Sequence, residues 1–129
     1  MNGEFFSKVK NYVTELDYEV LYENENDGII VIDKQEYGIR NMVLGVANPI
    51  LIVEQYLFNC NSDSVYRELL IKNRDIVHGA FVLDETGEKV IFRNTLQVES
   101  LDKRELETTI NSLSLLLSEY SNEIMKFSK

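Results

Sequence analysis

The sequence has 129 residues, 44% of them hydrophobic, so it is long enough for one domain with a substantial core. Twenty-two acidic and thirteen basic residues give a formal net charge of -9, and the basic residues cluster only in pairs such as Lys103-Arg104. This balance argues against nucleic-acid and anionic-membrane binding, because phosphate neutralisation needs clustered lysine and arginine.

Cysteine content and apolar runs indicate the compartment. The single cysteine, Cys60, cannot form an intramolecular disulfide, and the N-terminal segment has no apolar run typical of a signal peptide. Apolar stretches such as Ile50 to Val53 are far too short to cross a membrane. We expect a soluble cytoplasmic protein with a single domain over residues 1–129.

The first predicted elements are a helix and a hairpin. A helix from roughly Gly3 to Leu16 is predicted by helical spacing of its apolar residues, which are Phe5, Phe6, Val9, Tyr12, Val13 and Leu16. From Glu19 the period changes to two, with Val20 and Tyr22 alternating with Glu19, Leu21 and Glu23. The turn residues Asn26 to Gly28 and the β-branched run Ile29 to Ile32 complete a hairpin.

Two further strands extend the hairpin into a four-stranded meander. The polar segment Lys34 to Gly38 predicts a turn, and Ile39 to Val46 and Ile50 to Phe58 both have strand character. Ala47-Asn48-Pro49 separates them, because proline cannot donate to a ladder and restricts the residue before it.

A short helix and a second hairpin follow. After the polar loop Asn59 to Ser64, a helix reaching about Asn73 is predicted to bury Val65, Leu69 and Leu70. The hairpin then comprises Gly79 to Leu83 and Lys89 to Val98.

The last element is a long helix that starts at Ser100 or Asp102 and ends near Phe127. Its apolar stripe has alternating steps of four and three residues and comprises Leu106, Ile110, Leu113, Leu117, Tyr120, Ile124 and Phe127. This spacing also suits a coiled-coil seam, but packing on the sheet is favoured because the sheet needs a cover. Leu115 and Leu116 lie off the stripe and could contact the first helix or a second subunit.

These elements predict the α+β class: an antiparallel sheet with helices packed on it, in the order α-β-β-β-β-α-β-β-α. The six glycines fall at the start, in turns or at strand ends.

No motif for reaction chemistry or cofactor binding stands out, and we predict neither catalysis nor a cofactor. Residues Glu23 to Gly28 imitate the start of a calcium loop, but Lys34 occupies the place of its bidentate carboxylate. A nucleophilic pair would have to use Cys60 with the sole histidine, His78, and a hydrolase pair such as Asp33 with Glu54 has no specific support.

The order of elements resembles the type III secretion chaperone-like fold, the group of the Tir chaperone CesT and the YbjN-like proteins. The resemblance covers nearly the whole chain. It is carried by the helix Phe5 to Leu16, the block Asp27 to Ile32, Asn48-Pro49 between two strands, and above all the stretch Leu69 to Leu117. The four strands before the second helix lean toward the YbjN-like branch, since secretion chaperones commonly have three there.

The resemblance implies a small cytosolic homodimer that binds a segment of another protein. Strands rich in Val, Ile and Tyr can take up an extended peptide through backbone hydrogen bonds and apolar pockets. We predict this partner-binding surface near Val43, Val46, Ile50 and Ile52, although the same residues would also suit an ordinary core. The alternative function is a regulatory or immunity-type inhibitor of one specific enzyme or toxin.

Overall fold

The computed structural model describes residues 2–127 and confirms the predicted fold class and order of elements. The helices are α1 (Asn2–Glu15), α2 (Asp63–Lys72) and α3 (Lys103–Phe127). The strands are β1 (Glu19–Asn24), β2 (Ile29–Lys34), β3 (Ile39–Ala47), β4 (Ile50–Asn59), β5 (Ala80–Leu83) and β6 (Lys89–Gln97). Short 3-10 turns follow β2 and α2.

The six strands form one antiparallel sheet in the order β1-β2-β3-β4-β6-β5. Tight turns make β1 to β4 a meander of sequence neighbours, and the peptide bond of Asn48-Pro49 between β3 and β4 is cis. The chain then passes through α2 to the far edge, so that β6 returns between β4 and β5.

One face of the sheet is covered by helices and carries the core. Alternate residues of β2, β3 and β4 are almost fully buried on this face, and they are Ile30, Ile32, Met42, Leu44, Val46, Leu51 and Val53. They form one buried cluster with Phe6, Val9 and Val13 of α1 and with the inner residues of α3. Apolar contact between helices and this face therefore provides the main stabilisation.

Helix α3 begins where the sequence predicts and lies on the sheet. The carboxylate of Asp102 accepts a hydrogen bond from the amide of Glu105 at 2.7 Å, which caps the first turn. Leu106, Ile110 and Leu113 are completely buried, so core packing is confirmed over a coiled-coil seam. Leu116 is also buried, with 6% of its surface exposed, because the inward face is wider than the predicted stripe.

The first hairpin contains a β-bulge that the alternating sequence conceals. The register shifts between Val20 and Tyr22, so Val20 pairs with Ile32 on the core face while Tyr22 pairs with Val31 on the other. The prediction that Val20 and Tyr22 lie on one face is therefore wrong, because the extra residue, Leu21, reverses the alternation.

Helix α2 differs from the prediction in its inner face. The hydroxyl of Ser62 accepts a hydrogen bond from the amide of Val65, as expected for an N-cap. Leu69 is buried and Val65 packs half-buried against the core, as predicted, whereas Leu70 is 68% exposed. A ten-residue helix at the edge of the sheet has one narrow contact line, and Leu70 lies outside it.

A buried amide holds the start of β3. Gln55 of β4 is 5% exposed, donates to the carbonyl of Gly38 at 3.0 Å and accepts from the amide of Arg40 at 3.1 Å. Both of its polar ends are therefore satisfied inside the core face.

A lysine secures the loop between α1 and β1. The ammonium of Lys34 donates to the carbonyl of Leu16 at 3.1 Å and lies 4.8 Å and 4.6 Å from the ring centres of Tyr18 and Tyr37. Burial, followed by the charges of Glu107 and Tyr37, raises the pKa of the Tyr18 hydroxyl to about 12.

Candidate partner-binding surface

No helix within residues 2–127 covers the second face of the sheet, and this face carries three of the four residues predicted to bind a partner. In the β3–β4 register, Gly45 opposes Ile52 and Ala47 opposes Ile50. Val43 and Ile52 are half-buried and Ile50 is 41% exposed. Val46 is only 2% exposed and faces the core, so the prediction that it belongs to the partner-binding surface is wrong. Residues three apart on a strand point to opposite faces, which separates Val46 from Val43.

Nine apolar side chains share this second face, which we call the outer face. None of them belongs to the buried cluster or packs against it. They are Tyr22, Ile29, Val31, Val43, Ile50, Ile52, Tyr56, Val82 and Ile91. A β-branched and aromatic surface of this kind on a sheet is suited to contact with another polypeptide.

The chain segment that forms β1 to β4 is strongly acidic, although not all of its acids lie on the outer face, since Glu23 pairs with Lys10 of α1. Residues 19–59 carry seven acidic and two basic side chains, a net charge of -5. Among them, Glu54 of β4 pairs with Arg93 of β6 at 3.4 Å, with both side chains more than a third exposed. A partner with basic residues would therefore be attracted to this half of the sheet.

The acidic pair that could suggest a hydrolase is separated by a strand. Asp33 lies on β2 and Glu54 on β4, with β3 between them. The carboxylate of Asp33 accepts a hydrogen bond from the amide of Asn41 at 3.3 Å, whereas that of Glu54 engages Arg93. Each carboxylate thus has a structural partner of its own.

The residues that imitate a calcium loop have local partners as well. Glu23 pairs with Lys10 of α1 at 2.9 Å, and the carboxylate of Asp27 accepts a hydrogen bond from the side-chain amide of Asn24 at 3.0 Å. Within residues 2–127, no three carboxylate, thiol or imidazole groups are arranged to hold a metal ion.

The only thiol and the only imidazole have different surroundings. Cys60 is buried beyond β4, where its amide donates to the carbonyl of Glu88 at 2.7 Å. His78 is exposed in the segment before β5 and lies near Thr108 and Ser112 of α3. The structure does not bring the two together as a hydrogen-bonded pair.

The two edges of the sheet differ in their backbone. At β5, the side chain of Asn73 donates to the carbonyl of Phe81 at 3.1 Å and accepts from its amide at 2.9 Å. Asn73 therefore occupies backbone groups to which another strand could otherwise pair. At the opposite edge, β1 pairs with β2 alone among the described strands.

A separate apolar surface lies beside the closed edge. Leu70, Ile71 and Leu83 are 68%, 54% and 42% exposed, and a pocket of about 170 Å³ lies between α2 and β5. We call these residues and the pocket the α2–β5 surface. Residues 63–75 carry three acidic and three basic side chains, so this surface has no excess charge along α2.

Comparison with known proteins assigns the chain to a family. The model of the CesT_Tir_1 family matches residues 2–129. The chain belongs to the CesT_Tir_1 family. The resemblance predicted from the sequence is thereby confirmed, whereas the comparison with curated proteins finds no match.

Solved structures with the CesT_Tir_1-like fold cover almost the whole chain. A chain of the HopA1–SchA chaperone–effector complex is 13% identical, with a TM-score of 0.69 over 92% of this chain and 94% of that chain. YbjN from E. coli is 11% identical, with a TM-score of 0.69 over 92% of both chains. The Yersinia pestis type III secretion chaperone SycH, solved with a fragment of YscM2, is 17% identical, with a TM-score of 0.65 over 96% and 99%. The TM-scores, over more than nine-tenths of each chain, establish a shared fold.

Sequence reasoning missed two features of this CesT_Tir_1 chain. It assigned Gly45 to a strand end, but Gly45 pairs on both sides, with Ile29 of β2 and Ile52 of β4. It also gave no role to Asn73, whose amide closes the β5 edge. A glycine inside an apolar run was the available signal for the first, while nothing local marks the second.

No helix in residues 2–127 has the length and apolarity to cross a membrane.

Proposed function

We propose that this protein is a noncatalytic, chaperone-like module that binds an extended segment of a partner protein. The observation that carries the proposal is the outer face, where β-branched and aromatic side chains lie half-buried or exposed and none of the three described helices packs over them. Family membership and a fold shared with secretion chaperones support the same function. We propose the cytoplasm as its compartment, because a lone cysteine fits a reducing environment.

The binding mode we propose combines side-chain and backbone contacts. Val43, Ile50 and Ile52 would bury apolar side chains of the segment, and the open edge of β1 could add it as a further strand. Both contacts require an unfolded, extended partner. An inhibitor of a folded enzyme or toxin would instead leave its partner compact.

A peptide library tests this function. We expect the protein to bind a subset of short unstructured peptides, and Val43→Glu combined with Ile52→Glu to weaken that binding at least tenfold. The control is Val77→Glu, since Val77 is 86% exposed and lies away from the sheet on the segment before β5. Unchanged binding in the double variant would refute the outer face as the site. A captured partner that resists limited proteolysis would support the inhibitor alternative.

We also propose that the protein forms a homodimer through the α2–β5 surface. The surface exposes large aliphatic residues and has no local excess charge, so two negatively charged copies can meet there with little repulsion. Light scattering should give twice the chain mass for the wild type and the chain mass for Leu70→Asp. A wild type that stays monomeric at high concentration would contradict the dimer.

A further inference from the structure

The folded chain itself gives no structural reason for a glycine at position 45. It lies inside β3, its φ is not positive, and a Cβ atom added to it would meet only Ile52, at 3.9 Å from Cβ and 4.0 Å from the carbonyl oxygen. These are ordinary van der Waals distances, so alanine would fit. Glycine inside a strand is less favourable than alanine because it loses more conformational freedom on folding.

Gly28 shows the contrast within the same sheet. Its φ is +70°, and a Cβ atom there would collide with the backbone carbonyl of Val46. The fold therefore requires glycine at position 28 and does not require it at position 45. A strand glycine without an internal cause indicates that something outside the chain approaches the backbone closely.

The missing side chain leaves a depression in the outer face, which we call the Gly45 hollow. Ile29 and Ile52 flank it on the neighbouring strands, and Val43 and Ala47 flank it along β3. Opposed residues on adjacent strands have Cβ atoms about 5 Å apart, so the hollow has the width of one side chain. Its walls are entirely aliphatic, and a large apolar side chain entering from outside would bury them together with itself.

The surrounding charge selects among possible occupants. The hollow lies in the segment of residues 19–59, where acids exceed bases by seven to two. A second copy of this chain would bring the same negative charge against it and be repelled, whereas a segment with lysine or arginine would be attracted.

We infer that the Gly45 hollow is a specificity pocket. The pocket receives one large apolar side chain of the bound segment. In the sequence of that segment, basic residues stand on both sides of the apolar residue. The inference rests on the proposed function and deepens it, because it states which residue of the partner is read and which neighbours that residue has. In this arrangement Gly45 serves recognition, and the strand is less stable than it would be with alanine.

Host peptides with one variable position test the inference. In the basic host, Lys alternates with Thr and the central residue is Ala, Leu or Phe; in the acidic host, Glu replaces Lys. We expect the wild type to bind the Leu or Phe peptide at least tenfold more tightly than the Ala peptide. The basic host should bind at least tenfold more tightly than the acidic one at low salt, with a smaller ratio at high salt.

Filling the hollow supplies the decisive variant. Gly45→Val should leave the thermal midpoint unchanged or raised, because valine suits a strand and its Cβ atom would make only ordinary contacts, yet it should abolish the preference for Leu or Phe. Gly45→Ala serves as a milder replacement if valine disturbs folding. Thr95→Val, which places the same apolar side chain on β6 opposite Ile52 without filling the hollow, should leave the preference intact.

The outcomes separate this inference from the proposed function. Binding of basic peptides without any dependence on the central residue, or an unchanged preference in both Gly45 variants, would overturn the pocket while leaving the function in place. Absence of binding by every host and library peptide would overturn the function itself. Self-association lost specifically in Gly45→Val would show that a second copy occupies the hollow, and would also overturn the inference.

Discussion

Replacing Leu113 by aspartate places a carboxylate at the centre of the contact between α3 and the sheet. Leu113 is completely buried and belongs to the cluster that joins both long helices to the sheet. Leu115, two residues further along the same helix, is 65% exposed. The same substitution at these two positions therefore compares a buried with an exposed carboxylate in one helix.

The expected cost at Leu113 approaches the stability of the whole domain. Losing a buried leucine costs about 1.5–3 kcal/mol. Full burial can raise a carboxyl pKa by roughly 3–5 units, to about 7 or above, so at pH 7 the native state holds the group largely protonated. The penalty at pH 7 is then limited by the gap between pH 7 and the unfolded pKa of about 3.9, and amounts to about 4 kcal/mol. The sum of about 5–7 kcal/mol compares with a net stability of about 5–15 kcal/mol for typical domains. We expect Leu113→Asp to be largely unfolded at pH 7, and Leu115→Asp to shift stability by less than about 0.5 kcal/mol.

Urea unfolding followed by circular dichroism measures this difference, and pH identifies its cause. The native-state pKa of the new carboxyl is raised, so the charge penalty is present at pH 7 and disappears as the pH falls to its unfolded value of about 3.9. Leu113→Asn has similar polarity without the charge, so its stability should converge with that of Leu113→Asp near pH 4. Undiminished stability of Leu113→Asp at pH 7 would show that the wrong helix face is assigned to the core.

Three further predictions concern polar groups with defined partners. Gln55→Ala should lower the free energy of unfolding in urea by about 2–3 kcal/mol, because two backbone groups lose their buried hydrogen-bond partner. Gln97 is exposed, so Gln97→Ala should change stability little. Equal effects of the two substitutions would contradict a structural role for the Gln55 side chain. Asn73→Ala should free the backbone groups of Phe81 and increase concentration-dependent association in light scattering, and an unchanged mass would refute the edge-closing role. The pKa of the Tyr18 hydroxyl is raised from 10.0 to about 12 in the folded state. Its contribution to the free energy of unfolding is therefore intact below pH 10 and is lost as the pH rises from 10 to 12. The wild type should lose stability more steeply over this range than Tyr18→Phe. Parallel curves for the two proteins would show that Tyr18 titrates normally.

Periodicity predicted the elements well because it reports the strongest local constraint, the burial of one face. The last helix shows this, since Leu106, Ile110 and Leu113 have helical spacing and are the residues that the sheet covers. Periodicity cannot fix the width of that face. Leu115 and Leu116 are indistinguishable in sequence, yet one is exposed and the other buried, and only the position of the sheet beneath α3 decides between them.

The candidate surface was predicted less well because alternation in a strand shows which residues share a face but not which of the two faces is buried. Val43 and Val46 are equally apolar, and the sequence does not state which face the helices will cover. Alternation does require that two residues three apart separate, so one of them had to be wrong. The bulge at Leu21 was not predicted for a related reason. The register of β1 is fixed by its pairing with β2, and the alternating sequence of β1 does not show it.

The bidentate contact of Asn73 with Phe81 has a consequence for how far a continuous sheet can grow. A strand added at the β1 edge leaves the β5 edge with the backbone of Phe81 still occupied by Asn73, so the sheet does not offer two equally open edges for strand addition. Two copies that met through their unsealed borders would make a twelve-stranded pair with no vacant position for a third. One asparagine side chain therefore limits growth of the sheet by strand addition to a single edge, which lowers the tendency to form fibres that open strand edges bring.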